Sequence, residues 1–166
     1  MGREIRRVPP NWEHPSQECT HSRPCFPKCY LHMFDNDYET AKAEWAQGFL
    51  LWESVPEERP SQIIRYYWEY HGPPPNEDDE HLYRPKFTEE PTWFQVYQTV
   101  SEGTPVTPPF ATAEELARYL NEHGDFWYQK PTYENALAFV TQGWAPSMER
   151  TSEGEFLGSY SEKLSG

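Results

Sequence analysis

The chain has 166 residues, enough for one domain with a sizeable core and too few for two of ordinary size. It carries 14 Lys plus Arg against 27 Asp plus Glu, a formal net charge of −13, which disfavours direct contact with nucleic acid or anionic membrane and predicts a protein partner or simple solubility. No apolar run approaches the roughly 18 residues of a membrane span, and three cysteines make an odd, poor disulfide framework that fits a reducing compartment.

Seventeen prolines and a mean hydropathy of −0.94 resist compact folding. Seven Trp, eleven Tyr and nine Phe act the other way, because aromatic rings bury large apolar areas and disordered chains are poor in them. The expectation is a folded core on aromatic anchors, joined by proline-rich connections. The start, MGREIRRVPPNW, has the positive flank of a signal peptide without the apolar stretch that follows one, so the chain is expected to stay in the cytosol.

Residues 1–34 read as an irregular arm, since Pro9, Pro10, Pro15, Pro24 and Pro27 forbid any long helix. Ile5, Val8 and Trp12 offer apolar points to tack it onto the body. Residues 1–30 carry Arg3, Arg6, Arg7, Arg23 and Lys28 against Glu4, Glu13 and Glu18, a net of +2 that leaves −15 for the rest of the chain. The acidity is densest around Glu53–Glu58, Glu77–Glu80 and Glu89–Glu90.

Asp35 or Asp37 can cap a helix over 38–53, where Ala41, Trp45, Phe49 and Trp52 recur on one helical face. Gly48 is its weak point, costing about 1 kcal/mol relative to Ala. IIRYYWEYH at 63–71 fits a short helix or a strand, and HGPPPNEDDEH at 71–81 reads as a loop. TWFQVYQTV at 92–100 alternates like a strand, SEGTP turns the chain, and VTPPF returns as an edge segment in which Pro108 and Pro109 cannot donate to a ladder. Thr112 and Glu115 form a capping box for a helix over 113–122 that Gly124 ends. Thr132 caps another over 133–142, ended by Gly143. The sum is an α+β fold: a short antiparallel β element at 92–110 packed by about three helices behind the irregular arm. It forms a single small domain, 1–148, with a flexible tail, 149–166.

Three stretches offer chemistry. HPSQECTHSRPCFPKCYLH at 14–32 holds all three cysteines, Cys19, Cys25 and Cys29, beside His14, His21 and His32. Zinc takes four Cys and His ligands in tetrahedral sites. Cys25 and Cys29 have the spacing of a ligand pair, and Cys19 with His21 or His32 completes a Cys3His set; His14 is a further candidate. A metal can organise an arm that lacks its own core. The plainer alternative is three buried or free thiols in a variable insertion. Glu77, Asp78, Asp79 and Glu80, followed by His81, suit a cation site or a phosphate-mimicking surface for a protein partner, or simply a solvated loop; the spacing and turn Gly of a calcium loop are absent. The tryptophans are read as core, with Trp127 and Trp144 beside proline-rich segments as the ones that suit an interaction anchor. A phosphate-cradling Gly-rich loop, a nucleophile elbow, His-Glu-x-x-His and a dinucleotide fingerprint are all missing, so the chain is not read as an enzyme.

IRRVPPNWEHP (5–15), DYETAKAEW (37–45), VSEGTPVTPPFATAEELARYL (100–120), GDFW (124–127) and GWAPSM (143–148) together resemble a family of small uncharacterised proteins of tailed bacteriophages and prophages. The likeness spans most of 3–148, and the tail beyond Met148 departs from it. The resemblance implies a phage accessory protein in the cytoplasm of an infected bacterial host, with no assigned catalytic residues. The resulting expectation is a non-enzymatic protein that binds a host or phage protein, in its sharpest form inhibiting a host defence or nucleic-acid enzyme through the acidic surface. The alternative is a small structural or zinc-stabilised phage component.

Overall fold

The computed structural model describes residues 2–23, 25–54, 63–99, 103–145, 149–150, 156–157 and 160. Along the chain these form β1 (Arg3–Val8), β2 (Ser16–Gln17), β3 (Cys29–Tyr30), α1 (Tyr38–Ser54), α2 (Ile63–His71), a 3-10 helix (Glu77–Leu82), β4 (Trp93–Gln98), β5 (Thr104–Pro105), α3 (Ala113–His123), α4 (Tyr133–Gln142), β6 (Trp144–Ala145), β7 (Glu149–Arg150) and β8 (Phe156–Leu157). The fold is mixed α+β, as the sequence predicts. The chain divides into two compact units, residues 1–32 with 87–166, and residues 33–86, where the sequence predicts one domain.

In the first unit the sheet order is β5-β4-β1-β6, all antiparallel. Placing β1 inside the sheet corrects the expected arm: residues 3–8 pair with β4 along their whole length, Arg3 opposite Gln98 and Val8 opposite Trp93. Four charged residues in six hide this strand from a hydrophobicity pattern. Their charges are accommodated individually. Arg3 pairs with Asp125, Arg6 bonds Glu4 at 2.7 Å and lies 4.6 Å from the Tyr97 ring centre, and the Arg7 guanidinium sits 3.6 Å from that of Phe94.

The predicted strand at 92–100 is β4, and VTPPF returns beside it as expected. Pro105 stands opposite Tyr97, Val106 donates to the Val96 carbonyl, and Phe94 and Phe110 exchange both backbone bonds. Residues 100–102 of the predicted turn lie outside the described residues. One sheet face is covered by α3 and α4, where Val96, Val106, Leu116, Leu120, Phe139 and Val140 form the core. Truncating a fully buried leucine such as Leu120 to Ala costs about 2–5 kcal/mol. Both helices start and stop where the sequence places them. Thr112 and Glu115 make a reciprocal capping box, Thr132 accepts from the Asn135 amide at 3.3 Å, and Gly143 takes a left-handed φ of 86°.

The other sheet face carries Tyr97, fully buried, and against it packs His14 from the segment after β1. Alternate residues of β4 are therefore buried on both faces, Val96 toward the helices and Tyr97 toward this segment. The expected flexible tail is also corrected in part. β7 pairs with β8, and Tyr160 is buried in the helical core edge-on to Phe139. Residues 146–148, 151–155, 158–159 and 161–166 lie outside the described residues.

In the second unit Asp37 caps α1, accepting from the Thr40 amide and hydroxyl at 3.1 and 2.8 Å. The stripe Ala41, Trp45, Phe49 and Trp52 is its half-buried face. The 63–71 segment resolves as helix α2. Its buried Tyr67 meets the rings of Trp45, Phe49 and Trp52 edge-on, at centroid distances of 5.1, 5.5 and 5.9 Å. Gly48 is needed here: a Cβ would overlap the Tyr67 hydroxyl, so its low helix propensity is the cost of that contact. The acidic segment at 53–58 lies outside the described residues beyond Ser54.

Candidate metal centre

β2 and β3 form the neck of a loop. Ser16 pairs with Tyr30 and Gln17 with Cys29, and the Leu31 amide donates to the Pro15 carbonyl at 3.0 Å. Within this loop the Sγ atoms of Cys19, Cys25 and Cys29 and a ring nitrogen of His21 all lie within 4.8 Å of one another. Cys19 Sγ is 3.4 Å from Cys25 Sγ and 3.5 Å from His21 Nδ1, while His21 Nδ1 is 3.2 Å from Cys25 Sγ and 3.9 Å from Cys29 Sγ. A tetrahedron built with Zn–S of about 2.3 Å and Zn–N of about 2.05 Å has edges of about 3.6–3.8 Å. The measured edges scatter around that value. Cys19, His21, Cys25 and Cys29 can therefore bind a metal ion.

The surroundings treat the sulfurs unequally, favouring the charged form at Cys19 and disfavouring it at Cys25. The Cys25 amide donates to Cys19 Sγ at 3.3 Å, and Gln17 Nε2 lies 4.0 Å from Cys29 Sγ. The Cys25 amide, followed by the His21 side chain, lowers the Cys19 thiol to about 6. Cys25 is pushed up to about 12, first by its contacts with the Cys19 and Cys29 sulfurs and then by desolvation. Two adjacent thiols do not both ionise readily without a cation between them. A metal changes that balance, because it binds the deprotonated sulfurs.

The three candidate histidines separate cleanly. His21 joins the cysteines. His14 is buried, its Nε2 donating to the Leu31 carbonyl at 2.8 Å and its Nδ1 3.0 Å from the Tyr97 hydroxyl, so both ring nitrogens are engaged in the core. His32 is exposed and stands outside the four-residue group. Glu77, Asp78, Asp79 and Glu80 belong to the second unit and are exposed on the 3-10 helix. Asn76 opens it by accepting from the Asp78 amide at 3.2 Å, and His81 Nδ1 bonds the Asp78 carbonyl at 3.0 Å. The expected loop is thus an ordered turn with its carboxylates in solvent. Trp127 is exposed, and the Trp144 side chain lies outside the described residues.

A second polar centre has no counterpart among the sequence expectations. Arg3 Nε donates to Asp125 Oδ2 at 2.9 Å, with both side chains fully buried, and the Tyr160 hydroxyl donates to the same oxygen at 2.8 Å. Asp125 Oδ1 accepts the Trp127 and Gln129 amides at 2.9 and 3.0 Å. Burial and the neighbouring Asp125 charge raise the Tyr160 hydroxyl well above its usual range, so it stays a donor. The same unit carries an open groove of about 380 Å³ between Trp93, Phe110, Arg118, Tyr119 and His123. Among the described residues, no helix is long and apolar enough to cross a membrane. No protein-family model, curated protein or solved structure matches the chain.

Proposed function

We propose that this chain is a non-catalytic binding protein whose N-terminal loop is closed by one structural zinc ion held by Cys19, His21, Cys25 and Cys29. The observation that carries the reading is the convergence of three sulfurs and one imidazole nitrogen within 4.8 Å in a loop whose neck is a two-residue hairpin. Three sulfurs and one imidazole are the ligand chemistry of zinc. Four protein ligands leave no position for a water or substrate, which favours a structural role over a hydrolytic one. Protein purified without chelator is expected to contain about one zinc per chain by elemental analysis. A metal-free preparation with the 18–28 loop fully ordered would end the proposal.

A second reading concerns the partner. Four consecutive exposed carboxylates on an ordered 3-10 turn favour a basic protein surface, such as the nucleic-acid groove of an enzyme. The phage resemblance supplies the setting, an infected bacterial cell in which a host defence enzyme is the target. Co-purification from infected cells is expected to recover a host or phage protein, and neutralising Glu77–Glu80 to Gln and Asn is expected to lose it. Recovery unchanged by those substitutions would exclude the acidic turn as the contact.

A further inference from the structure

The four donors are not equivalent. Cys29 is buried, lies on β3 inside the hairpin and faces Gln17, whereas Cys19 is exposed and Cys25 half-buried in the loop. The two loop sulfurs are 3.4 Å apart, and a disulfide bond is about 2.05 Å long. Closing that gap asks for a movement of a little over 1 Å between two sulfurs whose residues both lie in the loop, outside the two strands of the neck. Solvent reaches this side of the cluster first.

From this asymmetry we infer that Cys19 and Cys25 form a peroxide-sensitive pair whose disulfide expels the metal, making the loop a reversible redox switch. The inference rests on the zinc-binding reading above. The oxidant is hydrogen peroxide. One of the two thiolates attacks a peroxide oxygen and breaks the O–O bond, giving a sulfenic acid and hydroxide. The second thiolate attacks the sulfenic sulfur, forming the S–S bond and releasing a second hydroxide. Two protons from solvent turn both hydroxides into water, so two thiolates lose two electrons and one peroxide gains them. The disulfide sulfurs no longer carry negative charge. The donor set falls to Cys29 and His21, half of what a closed zinc site requires. Reductant restores both thiolates, and the loop can bind zinc again.

The test uses the full-length protein as purified, with its zinc content measured first. One equivalent of hydrogen peroxide is added, zinc release is followed with a chromogenic chelator, and disulfides are mapped by mass spectrometry of a non-reducing digest. The expected result is one zinc released for each Cys19–Cys25 disulfide, reversed by a phosphine reductant and added zinc. Zinc that stays bound, or leaves with a Cys29-containing disulfide or a sulfinic acid, overturns the switch and leaves the zinc site standing. Protein that contains no zinc and takes up none overturns the zinc reading, and metal release with it.

Discussion

The 18–28 loop and the centre of the same unit each gather polar side chains, and they differ in nearly every other respect. In the loop, donors separated by at most ten residues meet beside a short hairpin, with Cys19 exposed, Cys25 half-buried and Cys29 buried. At the centre, Arg3, Asp125 and Tyr160 meet across 122 and 35 residues of chain, all three buried, and the Asp125 carboxylate accepts its four bonds at 2.8–3.0 Å. On the zinc reading proposed above, the local cluster gains its order from a ligand. A long-range buried cluster gains it from the packing of the elements that deliver each member. The two are therefore expected to fail independently.

The largest effect is expected at the centre. Asp125→Ala leaves the Arg3 guanidinium buried without its counter-ion, together with the Tyr160 hydroxyl and two backbone amides without their acceptor. Breaking a buried ion pair by removing one partner costs about 3–5 kcal/mol, and denaturant unfolding should show a loss of that order. Zinc content per folded chain should stay at the wild-type value. A variant within about 0.5 kcal/mol of wild type would mean that solvent reaches this centre.

The converse change is made in the loop. Replacing Cys25 and Cys29 together by Ser removes two of four ligands, and bound zinc should fall from about one per chain to none. Hydrogen exchange should quicken in 18–28 while the amides of α3 and α4 keep their protection. Loss of protection throughout the first unit would show that the loop and the core are one cooperative body, and the contrast between the regions would be broken.

The same contrast explains what could be seen in advance. Cys19, His21, Cys25 and Cys29 were legible because ligand chemistry is written in residue type and short spacing. Choosing His21 over His14 and His32 needed coordinates, since all three lie within five residues of a cysteine. The helices over 113–122 and 133–142 were legible because Thr112, Glu115, Gly124, Thr132 and Gly143 act within one turn of where they stand. β1 was not. REIRRV reads as a solvated arm until Asp125, Tyr97 and Phe94 are brought against its arginines, and no local pattern encodes partners that distant. Tyr160 was missed for the same reason, as one buried aromatic in a stretch of Ser, Glu and Gly. Gly48 was legible as a weak point of its helix, but the Tyr67 hydroxyl that fills the space of its missing Cβ comes from another helix and was not.

The smallest expected effect separates two histidines seven residues apart, His21 in the loop and His14 in the core. Burial is the main cause that holds His14 below its ordinary value of 6.5; its bond to the Leu31 carbonyl opposes this, and the positive charge of Arg6 adds to it. Because the folded value is the lower one, the unfolded chain binds more protons between the two values. His14 therefore contributes no penalty above pH 6.5, and stability is lost progressively as pH falls from 6.5 through the folded value. The loss amounts to about 1.4 kcal/mol for each unit by which the two values differ. Unfolding free energies between pH 8 and pH 5 should fall more steeply for the wild type than for His14→Gln, which cannot take up the proton. Both proteins keep the loop ligands, so acid release of zinc affects the two curves alike and cancels in their difference. Parallel curves would place His14 in contact with water and remove it from the buried side of the comparison.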